Sequence, residues 1–245
     1  MDGLTIAYRE CEPGYFDSGR SLEEACLIGC VADTVHCVYE GGRVWLHPGE
    51  YLLMPPGIWH MLYAEGEEAP ILLTVTFPVS DGNFAPITGS TGYLARILEE
   101  YRLDDAYASQ MCGLYMQQLL ITLRRRQAFR PRVEPRGDAA ILCRAQKLIG
   151  AHAREKLSVP MLAQRTGVSA SYLTALFHKY LPFSPGEYIR RVKLWESRAM
   201  IREGKLNFTQ IAQALEYSTV HQFSRQFKEV FGITPTEYAK SARTP

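Results

Sequence analysis

"STVHQFSRQFKEVFGITPTEY", residues 218–238, is the stretch on which the fold turns. Phe223, Phe227, Val230 and Phe231 recur at helical spacing, with His221, Gln222, Arg225 and Lys228 between them. Such an aromatic stripe needs a core, so the segment is expected to be an amphipathic helix with a polar, basic outer face. Its text occurs a second time upstream. "FHKYLPFSPGEY" (177–188) aligns without a gap on "FKEVFGITPTEY" (227–238): Phe177 on Phe227, Ser184 on Thr234, Pro185 on Pro235, Glu187 on Glu237 and Tyr188 on Tyr238. Leu162-Ala163 answers Ile211-Ala212 at an offset one residue shorter. The C-terminal half is thus a duplicated helical unit with one residue inserted at a turn.

In the first copy, "SVPMLAQRTGVSASYLTALFHKYL", Ser158 can cap a short helix, Gly167 suits a left-handed turn, and Ser169 can cap a second helix to about Leu181. Leu162, Ala163, Val168, Leu173, Leu176 and Phe177 form its expected buried side. The second copy is "FTQIAQALEYSTVHQFSRQFKEVF", with Thr219 as the cap of its second helix. Two short helices joined by a tight turn make a helix-turn-helix pattern. Between the copies, Ser184-Pro185-Gly186-Glu187 opens a long helix that Gly204 stops. About 18 residues at ~1.5 Å each give a rod of roughly 27 Å. Two recognition helices held by it could enter successive major grooves about 34 Å apart.

Charge divides the chain in the same way. The 245 residues carry a net +1, but residues 1–123 hold 5 Lys+Arg against 17 Asp+Glu, and residues 124–245 hold 22 against 9. A basic half joined to an acidic half suggests a polyanion-binding domain attached to another function. At 47% hydrophobic and 22% charged the chain reads as soluble and globular. No apolar run reaches the ~18 residues of a membrane span. The N-terminal stretch has no signal-peptide pattern. Six scattered cysteines without a C-x-x-C pair suggest free thiols in a reducing cytoplasm.

The duplicated unit, "SPGEYIRRVKLWESRAMI" between its copies and "FGITPTEY" at its end, strongly resembles the DNA-binding domain of the AraC/XylS family of transcriptional regulators over about residues 140–240. Two departures stand out: Glu216 where the family has glycine in the second turn, and Pro182 where it has glycine before the first Ser/Thr-Pro. The resemblance implies that double-stranded DNA faces Ser169, Ser171, Tyr172, Thr174 and Lys179 in the first copy, with Ala175 beside them. In the second copy it implies Thr219, His221, Gln222, Ser224, Arg225 and Lys228. Gln and Arg can read adenine and guanine through paired hydrogen bonds, whereas lysines suit phosphates.

Residues 1–88 are short Val-, Tyr-, Thr- and Leu-rich runs between Gly and Pro turns, expected to be strands of a sandwich or barrel. "HPGEYLLMPPGIWHMLY" resembles the second cupin motif through Pro55, Gly57 and His60. The first motif is not intact, with His36 and Glu40 only nearby, so neither metal nor cofactor is expected. Family resemblance implies a small-molecule effector of unknown identity, for which His60, Trp45, Thr74 and Thr76 are candidate contacts. A backbone-bonded His60, aromatic residues in the core and solvent-facing threonines are the competing readings.

Residues 93–126 read as helical, with Met111, Leu114, Tyr115, Gln118, Leu119 and Thr122 on one broad face. That face is expected to bury against a second copy, giving a homodimer, or else against its own barrel.

The expected fold class is α+β: a cupin-like β-barrel (1–88), a helical dimerisation segment (89–126), a linker (127–138) and an all-α double helix-turn-helix domain (139–245). The expected function is a cytoplasmic, ligand-responsive, sequence-specific transcription regulator with no enzyme activity and no membrane contact. A metal-dependent cupin enzyme with a DNA-binding tail is the alternative, and a regulator whose barrel only dimerises is a third reading.

Overall fold

The computed structural model describes residues 3–40 and 42–241. The last four positions of the expected C-terminal domain, 242–245, lie outside the described residues. The chain divides into two compact units. One comprises Met1–Tyr15, Ser21–Tyr39 and Val44–Glu134; the other comprises Phe16–Arg20, Glu40–Arg43 and Pro135–Pro245.

The N-terminal half carries eight strands: β1 (Thr5–Glu10), β2 (Ala25–Ala32), β3 (Val35–Tyr39), β4 (Gly42–Leu46), β5 (Glu50–Met54), β6 (His60–Tyr63), β7 (Ile71–Phe77) and β8 (Ile87–Ser90). They form a five-stranded sheet in the order β1-β7-β2-β5-β8 and a three-stranded sheet in the order β4-β3-β6. The expectation of one barrel is therefore corrected to two separate sheets. A closed barrel needs its edge strands to share a ladder, and no ladder joins the two sheets among the described residues.

Two helices follow, α1 (Gly92–Leu103) and α2 (Ala108–Arg125). Asp104 caps α1 in a left-handed conformation and the chain turns before α2. Leu27, Leu53, Leu73, Val75 and Phe77 line one sheet face and form a core with Leu94 and Ile97 of α1 and Cys112, Met116, Leu119 and Leu123 of α2. Alternation along β7 gives this result, because every second side chain points to the same face. At Gly29 a Cβ would lie 2.2 Å from Leu94 Cδ1, so the close approach of α1 to β2 requires glycine there. The α2 face named from the sequence is therefore only partly the one packed on the sheet. Of its six residues only Leu119 is fully buried, while Leu114 and Gln118 are exposed.

The C-terminal unit is helical: α3 (Gly137–Ala151), α4 (Val159–Thr166), α5 (Ala170–Tyr180), α6 (Pro185–Glu203), α7 (Phe208–Ala214), α8 (Val220–Phe231) and α9 (Pro235–Ser241). The two copies are α4–α5 and α7–α8, and α6 is the rod between them. Ser184 accepts a hydrogen bond from Glu187 N–H at its start, and Gly204 ends it in the left-handed region. Its 19 residues span roughly 28 Å. The rod serves both copies. Tyr188 meets Phe177 with ring centroids 5.6 Å apart. Leu194, Met200 and Ile201 share a core with Ile211, Ala212, Leu215, Phe223 and Phe227. Arg198 from the rod lies over the Phe231 ring, 5.0 Å from its centroid, and fixes the end of α8. All six cysteines are free thiols. Among the described residues no helix is long and apolar enough to cross a membrane.

Candidate nucleic-acid interface

The second helix of each copy is built alike. Ser169 Oγ accepts from Tyr172 N–H at 3.1 Å to start α5, and Thr219 Oγ1 accepts from Gln222 N–H at 3.1 Å to start α8. The structure therefore gives these two a capping role, whatever else they touch. Leu173, Leu176 and Phe177 of α5 and Phe223 and Phe227 of α8 are buried. Opposite them stand Ser171, Tyr172, Ala175 and Lys179, all exposed, with Thr174 half-buried; on α8 stand His221, Arg225 and Lys228, exposed, with Gln222 and Ser224 half-buried. One helix face holds the core and the other meets solvent, as an interface helix requires.

The turns before these helices differ. Gly167 makes the first, at φ 76°. Glu216 makes the second at φ 61°, keeping a glycine-like conformation with a side chain that disfavours it. Lys193 on the rod donates to Leu215 O at 2.8 Å and so ties that turn down. Burial lowers the Lys193 ammonium below its ordinary range, while the nearby Glu216 carboxylate opposes the shift. The Pro182 departure also has a visible consequence. Proline excludes the helical conformation from its predecessor. Leu181 is accordingly extended, and α5 ends at Tyr180. The matching α8 runs to Phe231 and closes on a left-handed Gly232.

Sequence reasoning missed Asp138. It sits in the first turn of α3, and its carboxylate accepts from Tyr172 Oη at 2.6 Å and from Lys179 Nζ at 2.9 Å. These bonds hold its pKa below the ordinary value. Two of the five α5 residues expected to face DNA are thus tied to a carboxylate 34 and 41 positions away. A linker-like reading of 127–138 gave no sign of it. On α8 the ties are local: Ser218 Oγ donates to Gln222 Oε1 at 2.6 Å, and Arg225 lies 3.7 Å from Glu229. An exposed pair of that length contributes little.

The four candidate effector contacts lie on three strands: Trp45 on β4, His60 on β6, and Thr74 and Thr76 on β7. His60 is buried, and its Nδ1 lies 3.1 Å from Ile58 O, the backbone-satisfied arrangement. Trp45 is 54% exposed and packs edge-on against His36. Thr74 and Thr76 are half-buried on the β7 face opposite the α1–α2 core, beside Ile28 and Cys26 of β2. On the β3–β6 ladder His36 pairs with Tyr63 and Tyr39 with His60, so the two histidines stand at opposite ends. Glu40 is buried and paired with Lys147. Among the described residues no three His, Cys, Asp or Glu side chains gather as a metal site.

Residues 162–241 match the family described as a helix-turn-helix domain. A solved transcriptional regulator from Chromobacterium violaceum, described by its AraC-type DNA-binding domain, is 30% identical. The match covers 43% of this chain and 94% of that one, with a TM-score of 0.41. Through its C-terminal half, the chain belongs to the AraC-type family. The AraC-type domain also aligns with the Msm operon regulatory protein of Streptococcus mutans, 30% identical over 101 residues, which are 41% of this chain and 36% of that protein. An uncharacterized HTH-type transcriptional regulator of Bacillus subtilis, YobQ, is 24% identical over 210 residues, 81% of this chain and 79% of its own length. The chain spans about a third of the length of the first curated relatives it matches.

Proposed function

We propose that this AraC-type chain is a cytoplasmic, ligand-responsive transcription regulator that binds two successive major grooves of duplex DNA through α5 and α8. The observation that carries the reading is the matched pair of capped helices on one rod. Each has a buried aromatic or aliphatic side and an outward polar side. Arg225, Gln222 and His221 supply base-reading groups on α8. Ser171, Thr174 and Ala175 offer less on α5, where Thr174 Oγ1 already donates to Ala170 O at 2.9 Å. The N-terminal sheets take the sensing role, in a cupin-like arrangement. The scattered histidines favour this reading over a metal-dependent enzyme.

The partner in the homodimer is a second copy packed along α2. Tyr107, Leu114 and Ile121 lie seven residues apart and are 69%, 44% and 49% exposed. A seven-residue apolar repeat is the spacing at which two helices pair, and the opposite face of α2 is already committed to the chain's own sheet.

Selection of binding sites from random duplexes by the full chain tests the function. Enrichment of a site with two half-sites about one helical turn apart is expected. Recovery of no preferred sequence would contradict it.

A further inference from the structure

The N-terminal unit has a cavity of about 530 Å³ that none of the candidate effector residues lines. It lies between the loop after β7, the last turns of α2 and residues 129–131. Its size falls within the range of small-molecule sites. Phe77, Phe84, Leu120 and Phe129 form an apolar wall, with the Phe84 and Phe129 rings edge to face at 5.1 Å. Arg124 and Arg130 also line it, both on exposed residues. Among the described residues neither guanidinium is in an ion pair. The lining carboxylate, Asp81, accepts instead from Asn83 N–H at 3.0 Å. Both arginines belong to the arginine-rich stretch 124–136, in which Arg132 pairs with Glu134.

We propose that this cavity binds a small amphipathic carboxylate, an aromatic or medium-chain aliphatic monocarboxylic acid, with its tail on the phenylalanines and its carboxylate on Arg124 and Arg130. The guanidinium fork matches a carboxylate through two parallel bonds. The apolar wall rejects a sugar, whose many hydroxyls would lose water without gaining partners. The site also has a structural consequence. Arg130 O accepts from Ala85 N–H at 2.7 Å, the bond that ties the stretch leaving α2 to the loop before β8. A ligand touching both Phe129 and Phe84 adds a second tie at the same place. Occupancy therefore orders the segment that leads out of the N-terminal unit.

The inference rests on the ligand-responsive reading above and names the ligand class. Its test is calorimetric titration of the full chain with 3-phenylpropionate and octanoate, against 3-phenylpropionamide, octanamide and arabinose. The acids are expected to bind, and their amides about 10-fold or more weaker, as expected for loss of a charge-assisted bond. Arg124→Ala, Arg130→Ala and the double variant should weaken the acids by a similar factor. They should leave the melting temperature and DNA affinity without ligand unchanged. Amide exchange at Ala85 should slow when acid binds.

Equal binding of acid and amide, or full acid affinity in the double variant, overturns the assignment. So does binding of arabinose alone, although a ligand-responsive regulator then survives. If no compound binds at millimolar concentration, the carboxylate site is wrong. DNA affinity unaltered by a wider metabolite panel would remove the ligand-responsive reading as well.

Discussion

Asp138 sets the behaviour of the first recognition helix. With Tyr172 and Lys179 bonded to it, the outer face of α5 carries less available positive charge than its sequence suggests. The direction of its pKa fixes when this holds. A carboxylate lowered in the folded state contributes stability above its unfolded value and loses it as pH falls through the lowered one. The tie is therefore closed at neutral pH. Asp138→Ala should release Lys179 to a phosphate, tighten binding to all duplexes, and steepen the slope of log affinity against log salt by about 0.9. Fluorescence anisotropy across a salt series reads this, and weaker binding would mean that Asp138 positions Lys179 productively. Under the proposed function Arg225 acts differently, because a bidentate donor reads one base. Arg225→Ala should cost about 1–3 kcal/mol on the selected site and flatten preference at one position. An unchanged selected sequence would transfer the readout to DNA shape. At Glu216 the argument concerns strain. Glycine there relieves ~1–2 kcal/mol of left-handed strain against ~0.5–1 kcal/mol of added unfolded-chain freedom. Glu216→Gly should raise Tm by up to about 6 °C, whereas a lower Tm would show that the Glu216–Lys193 attraction outweighs the strain.

At the scale of elements, α2 has one apolar face packed on the sheet and a second, with Leu114 and Ile121, that is exposed. Leu119 is buried against the sheet, so Leu119→Ala should destabilise the fold by about 2–5 kcal/mol, as other large-to-small core changes do. Leu114→Glu with Ile121→Glu should leave the fold intact and give a monomer in sedimentation at micromolar concentration. A persistent dimer would move the interface elsewhere. The sequence showed that this segment is helical and apolar, but it did not separate the stripe that meets the sheet from the one left exposed. Periodicity identifies a stripe and cannot say which of two stripes meets the sheet. That depended on Gly29 letting Leu94 and α1 approach β2, with α2 beside it. The recognition helices were legible because a repeat printed their pattern twice, with caps and turn residues in matching places.

Over the whole molecule, the charge division falls close to the last of the unit boundaries, which lies between residues 134 and 135. A fragment of residues 135–245 is expected to fold as a cooperative unit and to bind DNA with affinity that drops steeply with salt, since it holds 17 Lys+Arg against 8 Asp+Glu. Circular dichroism melting and anisotropy at two salt concentrations check both halves of that statement. Salt-indifferent binding would contradict the electrostatic part.

The duplicated helices, their caps, the stop at Gly204 and the acidic–basic division were determined by the sequence, because each depends on residues close together or on a pattern repeated along the chain. Glu216 stood out in advance as a departure from the glycine that the family resemblance implies, and the structure shows it left-handed at φ 61°. Tertiary structure alone decided the separation of the strands into two sheets, the Asp138 tie to Tyr172 and Lys179, the buried face of α2, and the cavity joining Arg124 and Arg130 to Phe77 and Phe84. The Asp138 tie and the cavity join residues 34 to 53 positions apart. Their distances are set by how the elements pack, and no local propensity or periodicity records that.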